Sequence, residues 1–140
     1  MTDYADIDKV LSELRHGHSC LLLNENSGGG MTGFVVVAAE HCESSHIAFM
    51  ARQARGLVCL AMTPQRCEEL ELPLMVESDD SMSPFTLSIE AATGIDTGIS
   101  AADRARTVRV AVDAASQPAD LVQPGHIFPI AAAVGGVLTR

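Results

Sequence analysis

Apolar residues recur along this chain in two alternating rhythms, and that alternation limits the fold more than any other feature. Ile7, Val10, Leu11 and Leu14 repeat at the spacing of one helix face, which predicts an amphipathic helix over residues 4–15, stopped by Gly17. Residues 20–23 and 34–39 are short apolar runs bounded by turn residues, with valine at 35 to 37, which predicts strands buried on both faces. The segment from Asn24 to Gly30 between them is a loop. A second helix is expected over 43–54, with Ser44 and Ser45 as caps, then a strand over 57–61. Thr63 before Pro64 opens a short helix to Leu70. Residues 77–84 form a surface loop, 85–90 alternate as a strand, and Ser100 with Asp103 opens a helix to about Asp113. An apolar stretch over 127–134 follows the turn at Pro124-Gly125-His126. Helices and strands in this order predict a layered α/β fold with a mixed sheet, in one domain over residues 1–140.

Composition removes several functions. The 140 residues hold 18 acids against nine bases, and Lys9 is the sole lysine, so the net charge of −9 argues against a grip on nucleic acid. No apolar run approaches the ~20 residues of a membrane span, and no basic leader opens the chain, so a soluble, cytoplasmic protein is expected. Cys20, Cys42, Cys59 and Cys67 show no C-x-x-C spacing and are expected to be reduced, mostly buried thiols.

Four motifs bear on chemistry. Gly28-Gly29-Gly30 lacks the spacing of a phosphate loop and precedes a strand, so it predicts a hairpin-like connection. His41 and His46 differ by five residues, which on a helix points them about 140° apart, so they are expected to be solvated, as are His16 and His18. Thr97, Gly98 and Ser100 stand just before a helix start with Arg104 in its first turn, where free N–H groups and a partial positive charge suit an anion. His126 sits at a turn entering a strand, with a side chain suited to acid or base work near neutral pH.

Taken together, five stretches resemble consecutive motifs of the 3,4-dihydroxy-2-butanone 4-phosphate synthase family. They are Phe49-Met50-Ala51-Arg52, residues 55–64, residues 97–107, Pro124-Gly125-His126-Ile127-Phe128-Pro129 and residues 135–140. The resemblance implies a three-layer α/β sandwich with a mixed twisted sheet, and a homodimer with active sites at the subunit interface. It also implies a magnesium-dependent role in riboflavin biosynthesis, converting ribulose 5-phosphate to the four-carbon phosphate plus formate. His126 matches the family's essential histidine, and Arg140 an arginine at the start of its substrate-binding segment. Thr97, Ser100 and Arg104 are the remaining candidates for binding a sugar phosphate.

The chain departs from that pattern where the chemistry lies. Between its first two strands the family carries Asp-Arg-Glu-Asn-Glu-Gly-Asp, whose arginine and last aspartate bind substrate and whose first glutamate binds the metal. Counted back without a gap from Ala38-Ala39-Glu40, those positions hold Gly28, Gly29, Gly30, Met31, Thr32, Gly33 and Phe34. Past the residue matching Arg140 the family continues with a metal-binding histidine, a last strand and a helix, which this chain is expected to lack. The expectation is therefore a degenerate homologue that holds no metal or other cofactor. Expected partners are a second copy, a full-length synthase that completes the site, or a sugar phosphate bound without metal.

Overall fold

The computed structural model describes residues 4–25, 28–76 and 84–135. The expected loop over 77–84 thus lies outside the described residues apart from Pro84, and so does Arg140. Helix α1 (Ile7–Arg15) begins three residues later than its apolar spacing suggests, because the Asp6 side chain caps it by accepting from the Asp8 N–H. Strands β1 (Cys20–Glu25) and β2 (Met31–Val36) pair antiparallel from Cys20 opposite Val36 to Glu25 opposite Met31, which puts the triple glycine at the hairpin turn.

Here one expectation is corrected. These strands are not buried on both faces: Leu21 is 60% exposed, Phe34 53% and Leu22 49%. The physical reason is their pairing, since among the described residues they form a two-stranded sheet and neither joins the larger one. An apolar run shows that a strand wants cover, not that the described chain supplies it.

A 3-10 turn (Ala39–His41) takes the end of the expected second strand. Helix α2 (Ser44–Phe49) is capped by Glu43 in place of a serine, and continues as a π-helical turn (Met50–Ala54) that ends on Arg55 in the left-handed region at φ 55°. Strand β3 (Cys59–Met62) leads to α3 (Pro64–Glu69), where the Thr63 hydroxyl accepts the Arg66 N–H at 3.2 Å as the sequence indicates. Strand β4 (Ile89–Ala91) precedes α4 (Ala101–Val112), and a 3-10 turn (Pro118–Asp120) enters β5 (Leu121–Ala131).

The larger sheet runs β3-β5-β4, parallel between β3 and β5 and antiparallel between β4 and β5, so it is mixed as expected. Its inner face supplies Leu60, Met62, Ile89 and Ile127 to the core, joined by Val108 and Ala111 of α4 and Ile47 of α2. Arg66 ties α3 to the end of α4: its guanidinium donates to the carbonyls of Ala111 at 3.1 Å, Asp113 at 2.6 Å and Ser116 at 3.3 Å. Those carbonyls belong to a helix end and its exit turn, where intrahelical partners run out. All four cysteines are free thiols; Cys42 and Cys67 are buried and Cys20 is half-buried, whereas Cys59 is exposed. Its alternating position on β3 turns it away from the core that takes Leu60 and Met62. No described helix is long and apolar enough to cross a membrane.

Candidate functional site

Strand β5 carries the site because it is irregular. Ile127 pairs with Ile89, yet the next residue of β4, Glu90, pairs with Val122. Residues 123–126 therefore bulge from the ladder, and they are the Gln123-Pro124-Gly125-His126 stretch, with a cis Gln123–Pro124 peptide. A bulge re-aims side chains, and this one turns His126 toward β4. The Nδ1 of His126 is hydrogen-bonded to the Glu90 carboxylate, with the histidine side chain 44% exposed and the glutamate 16%.

Two glycines make room for that carboxylate. A Cβ on Gly98, which sits at φ +77°, would overlap the Glu90 carboxylate itself. A Cβ on Gly125 would overlap the Ile89 backbone and the Glu90 Cγ. Glu90 thus lies in a slot whose two walls have no side chain, and any other residue at either wall would push it out. The slot is anchored on both sides. Gly125 N–H donates to the Ser88 hydroxyl at 3.0 Å, and next to Glu90 the Ala91 N–H donates to the buried Thr107 hydroxyl of α4, also at 3.0 Å. Thr107 in turn donates to the Asp103 carbonyl at 3.0 Å, so β4 and α4 are held in register at the site.

The turn before α4 is reached through the same carboxylate. Gly98 borders Glu90, Thr97 beside it is exposed, and Ser100 is exposed at the helix cap. The Ser100 hydroxyl accepts the Asp103 N–H at 3.0 Å, and the Asp103 carboxylate reaches back to accept the Gly98 N–H at 3.1 Å. Two N–H groups of this turn are therefore already bonded within the chain. Arg104 is half-buried, and its Nε is shielded from solvent with no hydrogen-bond partner among the described residues. Glu90, which sequence reasoning read only as the end of an alternating strand, is the site residue it missed.

The other histidines fall elsewhere. His16, His41, His46 and Arg109 line a concavity of about 480 Å³ between the end of α1, the start of α2 and the last turn of α4. Reading His41 and His46 on one helix set them apart, but the 3-10 turn that carries His41 brings them to one rim. Among the described residues no group of three or more His, Cys, Asp or Glu side chains is placed to hold a metal ion.

Residues 8–140 match the family model for 3,4-dihydroxy-2-butanone 4-phosphate synthase. A synthase of that name from Pseudomonas syringae pv. tomato is 50% identical over 136 residues, covering 96% of this chain and 37% of that protein. The crystal structure of a two-domain synthase from A. baumannii superposes with a TM-score of 0.88 at 42% identity, covering 97% of this chain and 40% of that one. A synthase solved in complex with two magnesium ions superposes with a TM-score of 0.90 at 34% identity, covering 98% of this chain and 64% of that one. The chain thus spans between about a third and two-thirds of the length of these relatives. With the family model matching over residues 8–140 and the fold shared with solved synthases, it belongs to the 3,4-dihydroxy-2-butanone 4-phosphate synthase family.

Proposed function

We propose that this chain is a catalytically degenerate member of its family. It keeps the fold and the His126 site, but does not itself carry out the magnesium-dependent conversion of ribulose 5-phosphate to 3,4-dihydroxy-2-butanone 4-phosphate and formate in riboflavin biosynthesis. One observation carries the reading: the β1–β2 turn. The positions where the family resemblance calls for arginine, glutamate and aspartate hold Gly29, Gly30 and Phe34, and β2 already begins at Met31 inside that stretch. Magnesium demands hard oxygen ligands in near-octahedral array, and no side chain from Gly28 to Phe34 offers it a carboxylate. The residues of this turn do not fit the ion.

The test is a calorimetric titration of magnesium into the protein, alone and with ribulose 5-phosphate. No saturable heat up to millimolar magnesium is expected in either case. One site of micromolar affinity would remove the reading.

The same hairpin supports association. Leu21, Leu22, Leu23, Met31 and Phe34 are all at least 40% exposed on strands whose one charged residue is Glu25. Solvent-exposed apolar area of this kind marks an interaction surface, and a second copy presents the same apolar strands to meet it. Light scattering is expected to give twice the 14.8 kDa of the chain; a monomer at tens of micromolar would discard the homodimer. If a full-length synthase is the partner instead, the mixture will form a heterodimer at the expense of both homodimers.

A further inference from the structure

We propose that the concavity between the end of α1, the 3-10 turn before α2 and the last turn of α4 is a second binding site. It takes a tetrahedral oxyanion, the phosphate group of a small metabolite, and holds it more tightly as the solution turns acidic. The site stands apart from His126: the turn beside Glu90 enters α4 at Ala101, whereas Arg109 lies about 12 Å further along that helix.

Its donors come from three elements. Arg109 of α4 donates one terminal N–H to the Cys42 carbonyl at 2.9 Å, which holds the guanidinium at the wall, and its other nitrogens have no hydrogen-bond partner among the described residues. The His46 Nδ1 accepts the Glu43 N–H at 3.1 Å, so the hydrogen of the neutral ring sits on Nε2. The His16 Nδ1 donates to the Ser12 carbonyl at 2.7 Å, so this ring can take a proton on Nε2 and keep that bond. His41 reaches the Glu40 carboxylate through Nε2 at 3.5 Å, which leaves Nδ1 as its second position for a proton. Gly17 brings the last two rings to one rim. It sits at φ +79°, and a Cβ there would press on the His41 Cβ at 3.1 Å, so a side chain would hold the end of α1 away.

The carboxylates set the sign of the pH dependence. Glu43 is engaged at the α2 cap, where it accepts the His46 N–H, and Glu40 is 74% exposed beside His41. With neutral rings these two acids outweigh Arg109, and the hollow repels an anion. Histidine changes charge between pH 5 and 8, so protonating His16 and His41 turns the balance positive and adds charged donors. The other titratable neighbours do not reverse this. Burial pushes the Cys42 thiol up, so it stays neutral, and His18, stacked on His16, is bonded to Glu13 at 2.5 Å, a pair that balances its own charge. A planar guanidinium with two free edges, flanked by imidazolium N–H groups from other directions, matches the oxygens of a phosphate group.

The test is a titration of sodium sulfate into the full ¹⁵N-labelled chain, read from the histidine ring signals with ionic strength held constant by chloride. Sulfate keeps both of its charges throughout the range used, so any pH dependence belongs to the protein. Saturable shifts at His16, His41 and His46 are expected at about pH 5.5, with affinity about tenfold or more weaker at about pH 7.5, the scale of two charges added at hydrogen-bond distance in water. Inorganic phosphate should move the same signals. His16→Gln, at an exposed position, is expected to weaken the acidic-pH affinity severalfold, and Arg109→Gln to abolish it. Shifts confined to His126, no saturable shift at acidic pH, or equal affinity at both pH values in the wild-type chain overturns the proposal even if Arg109→Gln fails to fold. So does unchanged affinity in a folded His16→Gln protein.

Discussion

Ile127→Ala is expected to lower the unfolding free energy by about 2–5 kcal/mol, the range for truncating a fully buried aliphatic side chain. Ile127 has no solvent exposure, pairs with the equally buried Ile89, and sits on β5, the strand that joins β3 and β4 into one sheet. The lost methyl and methylene groups leave a cavity at the centre of the sheet, where the backbones of β3 and β4 fix the walls and collapse is limited. A domain of this size has about 5–15 kcal/mol in total, so the variant gives up a large share of it. Urea denaturation should show the midpoint falling at unchanged m-value. A loss below about 1 kcal/mol would mean that the strand is packed more loosely than its burial indicates. Because Ile127 follows His126 directly, the variant should also loosen the bulge that aims the histidine at Glu90.

Local signals were legible and pairings were not. The caps of α3 and α4 could be read from Thr63, Pro64 and Ser100 because a cap is settled within four residues. The triple glycine gave the hairpin for the same reason. By contrast, β5 spans 11 residues through Pro124 and Pro129, and prolines argue against a central strand. The bulge over 123–126 takes up Pro124, and the strand survives it. The exposure of β1 and β2 was illegible because an apolar run says nothing about how many neighbours it will find.

The site divides along the same line. His126, Thr97, Ser100 and Arg104 stood out through motifs, whereas Glu90 lies 36 residues from His126 and ends an ordinary alternating strand. Spacing cannot show such a pair. The signal that could have found it was in the glycines: Gly98 and Gly125 recur in motifs because a carboxylate and a backbone occupy the space a side chain would take.

The central claim is that the scaffold persists while the magnesium chemistry has gone from this chain, and formate release from ribulose 5-phosphate tests it most directly. The assay is run with millimolar magnesium beside a full-length family member at equal concentration. Losing one preorganised electrostatic group commonly costs 10²–10³ in rate, and groups that act as a unit fail together. Three charged side chains that the family resemblance calls for are replaced by Gly29, Gly30 and Phe34, so at least about a thousandfold lower rate is predicted. A rate within tenfold of the full-length enzyme would contradict the account.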